Sequence, residues 1–180
     1  QQSPLYGGAF KSMDFHSRPL EYYSDVYDEY YNEIGLPYTH KTTYYALDIL
    51  YYIGMLDEFE NECDLNDLVD DIIGTQFLNP SYANYGGFTP NPALYSLLDD
   101  DDKNSHVFLD YSYHAIKTLE LLADFLNLGE LNDLNFNKGA LYSYISSLIN
   151  ETSTTICCDV PYTKKPENIL MNTFYTISIL

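Results

Sequence analysis

The sequence predicts an all-α fold built from helical hairpins, and three observations carry the prediction. Apolar residues recur at helical spacing over most of the chain, an eight-residue helical pattern returns three times, and one amphipathic segment and a loop separate each return from the next. Few stretches alternate as strands do. With 180 residues, 46% of them hydrophobic, the chain is long enough to bury a core without staples.

The elements follow in chain order. Thr43 to Ile53 is apolar almost all round with the single charge of Asp48, the pattern of a helix buried on most of its surface, and Gly54 is a stop signal. Asp64 is a candidate N-cap for a helix from Leu65 to Phe77, with Leu65, Leu68, Ile72 and Phe77 near one face and Asp67, Asp70 and Asp71 largely on the other. That helix is amphipathic, hence outer. A turn-rich stretch runs from Asn79-Pro80 through Gly86-Gly87-Phe88 to Pro92 and the acidic run Asp99 to Asp102, which reads as a solvated loop. Asp99 to Lys103 also spells an enteropeptidase recognition sequence. Leu109 to Leu128 is helical and ends near Gly129, and Leu134 to Ile149 is a further amphipathic helix. After a polar loop with Cys157, Cys158, Pro161 and Pro166, Glu167 to Leu180 begins another apolar helix, whose last turn lacks the residues that usually close one.

The internal repeat is the strongest signal. Thr43 to Leu50 (TYYALDIL), Ser112 to Leu119 (SYHAIKTL) and Thr173 to Leu180 (TFYTISIL) each start with a small hydroxyl residue and an aromatic and reach a leucine seven residues on. The offsets are 69 (43 to 112) and 61 (112 to 173), longer than usual helical repeats, so the loops carry insertions. The unit is an outer helix, a loop and an inner helix, and Gly7-Gly8-Ala9-Phe10 and Gly86-Gly87-Phe88 mark the loop. Paired glycines permit a tight reversal and close backbone approach there.

Charge and composition exclude several functions. Eight Lys and Arg against 27 Asp and Glu leave a net charge of −19, which opposes binding to nucleic acid or to an anionic membrane surface. No apolar run is long enough for a membrane span. Twenty tyrosines with nine phenylalanines and no tryptophan mean that the core or a cavity must be hydrogen-bonded or partly wet. Cys63, Cys157 and Cys158 allow at most one ordinary disulfide and contain no Cys-x-x-Cys zinc spacing, so a reduced, cytoplasmic setting is the simpler expectation. Gln1-Gln2-Ser3-Pro4 lacks the features of a signal peptide, and Asn150-Glu151-Thr152 is a lone sequon of a kind that chance often produces.

Gly-Gly-Phe, a helix beginning Thr-Tyr-Tyr-Ala-Leu, and a second helix ending near Gln76 before the next Gly-Gly-Phe together resemble the repeat of protein prenyltransferase β-subunits and squalene or terpenoid cyclases. The resemblance runs from Gly7 to Leu180 and is best from Leu65 to Leu128. It implies an α/α toroid in which inner helices line a central cavity. Such a ring has several hairpins and 180 residues supply about three and a half, so residues 1–180 are expected to form a single α/α repeat domain, a partial ring from a larger toroid, unless another chain completes the ring or the repeats form an open solenoid. Open repeat ends would leave apolar faces exposed.

The resemblance also brings expectations about chemistry. Prenyltransferases of this type hold zinc with an Asp and a Cys at the start of one inner helix and a His at the start of another. The His place falls on Thr42, Tyr111 or Asn172, Asp110 approaches the Asp place with a one-residue gap, and Ser112 or Tyr113 stands where the Cys would follow. The set is missing, so neither a metal nor a cofactor is expected. Cys157 and Cys158 with His40 or His106 would be an unrelated metal site, a weaker reading than no site. Asp99 to Asp102 matches the Asp-x-Asp-Asp acid motif of squalene and class II terpene cyclases, but that chemistry needs a buried acid, and here Lys103 and Asn104 adjoin it. The cyclases' loops carry Gln and Trp, and this sequence, with no Trp, keeps only Gln76 and Phe88 of that pattern.

Tyr44, Tyr45, Tyr51, Tyr52, Tyr111 and Tyr113 could present π faces to a cavity, though half are expected only to pack between helices. His114 lies one turn inside an inner helix, where a packed histidine is commoner than a ligand. The candidate ligand-binding residues are Tyr44, Tyr45, Tyr113 and His114, and no catalytic residue is assigned. The inner helices offer only Lys41 and Lys117 to a diphosphate, which counts against prenyl transfer by this segment. The expected role is a binding or assembly module, not catalytic by itself. Its partner would be another protein chain or the remainder of the toroid, with a hydrophobic or isoprenoid ligand as a further candidate. The alternative is a prenyltransferase-like or terpene-cyclase-like enzyme with its missing site residues beyond residue 180. The insertions Lys11 to Thr39 and Thr89 to Phe108 both follow Gly-Gly motifs and are expected on one rim.

Overall fold

Helix α1, His40–Tyr52, starts where two threonines cap each other: Thr42 N donates to Thr39 Oγ1 at 3.3 Å and Thr39 N donates to Thr42 Oγ1 at 2.9 Å. The chain is described by a computed structural model over residues 39–90, 95–96, 98–149 and 174–179. Helix α1 closes at Ile53, followed by Gly54 at φ +71°, the stop signal read from the sequence. A short helix α2, Leu56–Glu60, leads into α3, Leu65–Gly74, whose N-cap Asp64 accepts from Asn66 N at 2.9 Å. Next come α4, Asp100–Ser105, the long α5, Leu109–Phe125, a 3₁₀ turn, Leu131–Asp133, and α6, Lys138–Leu148. Residues 174–179 form a last helical stretch, α7. The described residues are all-α, with one isolated antiparallel bridge between Gln76 and Phe88. Among them, no helix is long and apolar enough to cross a membrane.

Three sequence expectations need correction, and one helix had no expectation. Helix α1 is not buried on most of its surface: His40, Thr43 and Leu47 are buried, while Tyr45, Ile49, Tyr51, Tyr52 and Ile53 are exposed, because α5 covers only one of its sides. The helix expected to reach Phe77 stops at Gly74, because Gln76 and Phe77 turn outward to pair with the glycine loop. The acidic run is helical rather than a loop: Asp99 caps α4 by accepting from Asp102 N at 2.9 Å, and three aspartates occupy the first turn, where the helix dipole favours negative charge. Helix α2 carries no clear signal, since a five-residue helix spans less than two turns and shows no period. The Glu167 to Leu180 helix is described only over 174–179, and the Lys11 to Thr39 insertion lies almost wholly outside the described residues.

The glycine loop that follows α3 is pinned from three sides. Gly86 N donates to Phe77 O at 2.7 Å and Phe77 N to Gly87 O at 2.9 Å, closing a tight reversal. Gly86 has φ +101°, and a Cβ there would collide with the Ala140 carbonyl of α6; a Cβ on Gly87 would meet Val107 and the Tyr144 ring. The buried Gln76 side chain donates to Gly86 O at 3.0 Å and Asn137 O at 2.9 Å and accepts from Asn137 N at 2.8 Å. One amide thus joins the end of α3, the glycine loop and the N-cap of α6. Asn137 in turn accepts from Ala140 N at 2.9 Å.

The most extensive helix–helix contact is between α1 and α5, and α3 packs on α5. Phe77, Phe88, Ile116, Leu119, Leu122 and Ile145 lie fully buried in the core these helices share. Phe88 N donates to Ser112 Oγ at 2.9 Å, so the hydroxyl that opens the second inner-helix motif holds the end of the glycine loop.

Candidate functional site

The site forms where α1, α5 and α7 lie side by side, at the aromatic position that follows each small hydroxyl residue. His114 is fully buried in α5, and its ring is ringed by Tyr44 at 5.8 Å, Tyr45 at 5.4 Å, Tyr113 at 4.9 Å and Tyr175 at 5.7 Å between centroids. All four residues expected to bind a ligand are therefore neighbours. Tyr113 stacks on Tyr175 at 4.5 Å, and Phe174 extends the layer at 5.9 Å from Tyr113. Each such aromatic pair adds about 0.5–1.5 kcal/mol beyond its buried area.

The contacts repeat with the sequence offsets. Tyr44 meets His114 across the α1–α5 junction, and Tyr113 and Tyr175, displaced by 69 and 61 residues respectively, meet across the α5–α7 junction. The Tyr45–His114 and His114–Tyr175 pairs are related in the same way. Two equivalent junctions are thus built from one sequence pattern.

Polar groups thread the layer. His114 Nδ1 lies 2.7 Å from the Asp110 carbonyl one turn earlier, which assigns the proton to Nδ1 and leaves Nε2 to accept from the Tyr45 hydroxyl at 3.4 Å. Asp110 Oδ1 is buried and 3.1 Å from Nδ1, off the line of that proton, so charge and dipole rather than an aligned hydrogen bond hold it. Burial pushes the Asp110 carboxyl up, but His114, the Lys41 charge and the Tyr175 hydroxyl outweigh burial and hold it below the usual carboxylate range. Lys41 Nζ is 3.5 Å from Asp110 Oδ2, and Lys117 Nζ is 2.7 Å from Glu120. Both lysines are therefore already paired with acids. Desolvation raises the phenols of Tyr44, Tyr113 and Tyr175, so they remain hydrogen-bond donors at neutral pH.

The remaining candidates disperse. Tyr51 donates to Asp124 at 2.8 Å, Tyr111 packs on Phe108 at 5.7 Å, and Tyr52 stands in solvent. His40 is buried against Thr75 Oγ1 at 3.0 Å, and His106 Nδ1 lies 2.7 Å from Asp102 O. Cys157 and Cys158 lie outside the described residues, and among those described no group of three or more metal-binding side chains converges. The acidic run is bound up with its neighbours: Tyr82 donates to Asp101 at 2.8 Å and Asn79 to Asp100 at 2.7 Å. Tyr175 and Phe174 were not among the expected site residues, although the repeat alignment itself points to them, since Tyr175 occupies the position of Tyr45 and His114.

No family model, no curated protein and no solved structure matches this chain.

Proposed function

We propose that this chain is part of an α/α toroid of the prenyltransferase and terpenoid-cyclase type, serving as a binding or assembly module rather than as a catalyst by itself. The observation that carries the reading is the aromatic layer around His114, made twice from one repeated pattern on neighbouring inner helices. Rings with protonated hydroxyls offer apolar faces to a hydrophobic or isoprenoid ligand and donors at its margin. The pairing of Lys41 with Asp110 and Lys117 with Glu120 leaves little positive charge for a diphosphate. The sparse cysteines favour a reducing, cytoplasmic setting.

The test is a titration read by tyrosine emission, which the 20 tyrosines and absence of tryptophan make direct. Farnesol, a neutral isoprenoid alcohol, is expected to bind saturably, and farnesyl diphosphate about tenfold or more weakly because the surface is acidic. Tyr113→Ala is expected to weaken the alcohol. Absence of saturable binding refutes the ligand reading. The enzyme reading has one observation behind it, the Tyr45 hydroxyl 3.4 Å from His114 Nε2, a donor–acceptor pair of the kind acid–base chemistry uses. Stoichiometric zinc together with prenyl transfer from a labelled diphosphate would establish that reading in place of the module.

A further inference from the structure

The three inner helices differ in exposure by position in the array rather than by residue type. Tyr45, Ile49 and Ile53 are 49, 61 and 55% exposed, whereas His114, Thr118 and Leu122, each 69 residues further on in α5, are all 0% exposed. Tyr175, the counterpart of His114 in α7, is 7% exposed. At the aromatic position this burial comes with contacts to the preceding helix, His114 on Tyr44 and Tyr175 on Tyr113, and His114 also touches Tyr175 of the following one. The opposite face shows the reverse order. Leu47 and Ile116 are 0 and 1% exposed, while Ile177, their counterpart in α7, is 58% and Phe174, the counterpart of Tyr44 and Tyr113, is 53%. Among the described residues, α5 is covered on both sides, while α1 keeps an exposed face away from α5 and α7 keeps one on its far side.

We infer that two copies of this chain stack head to tail, the Phe174–Ile177 face of one seated on the Tyr45–Ile49–Ile53 face of the other. Such a junction continues one that the molecule already makes twice. Its occupant is specified by that precedent: an aromatic and an aliphatic residue three positions apart on one helix, which the chain carries at the far end of its own array. Two different faces meet, so the contact is heterologous and grows into a ring if the rotation closes. The inference rests on the repeat-array part of the proposed function and not on its ligand. The net charge of −19 on each copy opposes stacking, and salt relieves that repulsion.

Sedimentation equilibrium of the 180-residue chain tests it. Association is expected to depend on concentration and to strengthen from low to high sodium chloride. Ile49→Lys and Ile177→Lys each reduce the negative charge, so repulsion relieved by charge would favour their association. Each variant by itself is nevertheless expected to associate about tenfold or more weakly than the parent chain, because an apolar contact is lost. Mixed in equal amounts, the two variants keep one intact face of each kind and are expected to form a dimer and nothing larger. A parent chain that stays monomeric at every salt concentration overturns the inference. So do variants that associate as the parent does, or a mixture that shows no rescue. Both side chains are exposed, and circular dichroism checks that the helices persist. Loss of association with farnesol binding intact removes the stacking and keeps the binding module; the converse keeps the stacking and removes the ligand.

Discussion

His40 shows how a single side chain can tie helix, loop and pH together. Its ring is buried between Thr75 and Phe88 and bonds to Thr75 Oγ1 and to the Thr89 backbone, and its own backbone N–H donates to Pro90 O at 3.1 Å. Burial pushes the imidazole down to about 3, with the Thr89 bond opposing and His114 adding slightly to the shift. The folded state therefore binds His40 neutral while the unfolded chain protonates it below its ordinary value of 6.5. The stability that this provides is fully present above that value and is lost as pH falls toward about 3, at about 1.4 kcal/mol per pH unit. Urea unfolding at several pH values in that window is expected to give a shallower slope for His40→Phe than for the parent chain; equal slopes would show that His40 does not titrate across folding. Gln76 is the second decisive residue. Gln76→Leu leaves Asn137 N and two carbonyls without their partner and is expected to cost about 2–4 kcal/mol in the same assay.

Individual elements were legible where the chain carries local punctuation. Asp64 caps α3, Gly54 follows the end of α1, and Gly86-Gly87 makes the reversal, all signals that act within a few residues. The exposure of α1 was not legible, because an apolar pattern records the capacity for burial and not the presence of a neighbour. Likewise, a run of aspartates reads as solvated in either state, and the capping bond of Asp99 decides for helix. That decision has a consequence for proteolysis. In α4 the Lys103 side chain lies over the Tyr95 ring at 4.5 Å and 3.8 Å from Asp100, so enteropeptidase must open the helix before cutting after Lys103. Cleavage of the native chain is expected to run about tenfold or more slowly than that of a peptide spanning residues 96–108, with Tyr95→Ala closing part of the gap. Equal rates would mean that α4 is not formed in solution. Gly86→Ala belongs to the same scale. A side chain at φ +101° against the Ala140 carbonyl is expected to lower the unfolding midpoint by an amount equivalent to about 2 kcal/mol or more.

At the scale of the whole molecule, repetition carries more information than any single motif. The pattern shared by Thr43–Leu50, Ser112–Leu119 and Thr173–Leu180 lines up residues that the fold makes neighbours around His114, because equal positions on successive helices meet equal neighbours. Tyr175 and Phe174 occupy the repeat positions of His114 and Tyr113, so the alignment carries their place in the layer, and the buried position of His114 follows from helices on both sides of α5. The central claim is that, among the described helices, α5 is the covered middle member of an array in which α1 and α7 each keep an exposed face. Amide hydrogen exchange tests this most directly. Ile116 and Leu119 in α5 are expected to exchange only through global unfolding, with protection falling by about tenfold or more toward Ile49 and Tyr52 in α1 and Ile177 in α7. Protection in α1 equal to or greater than that in α5 would contradict the array.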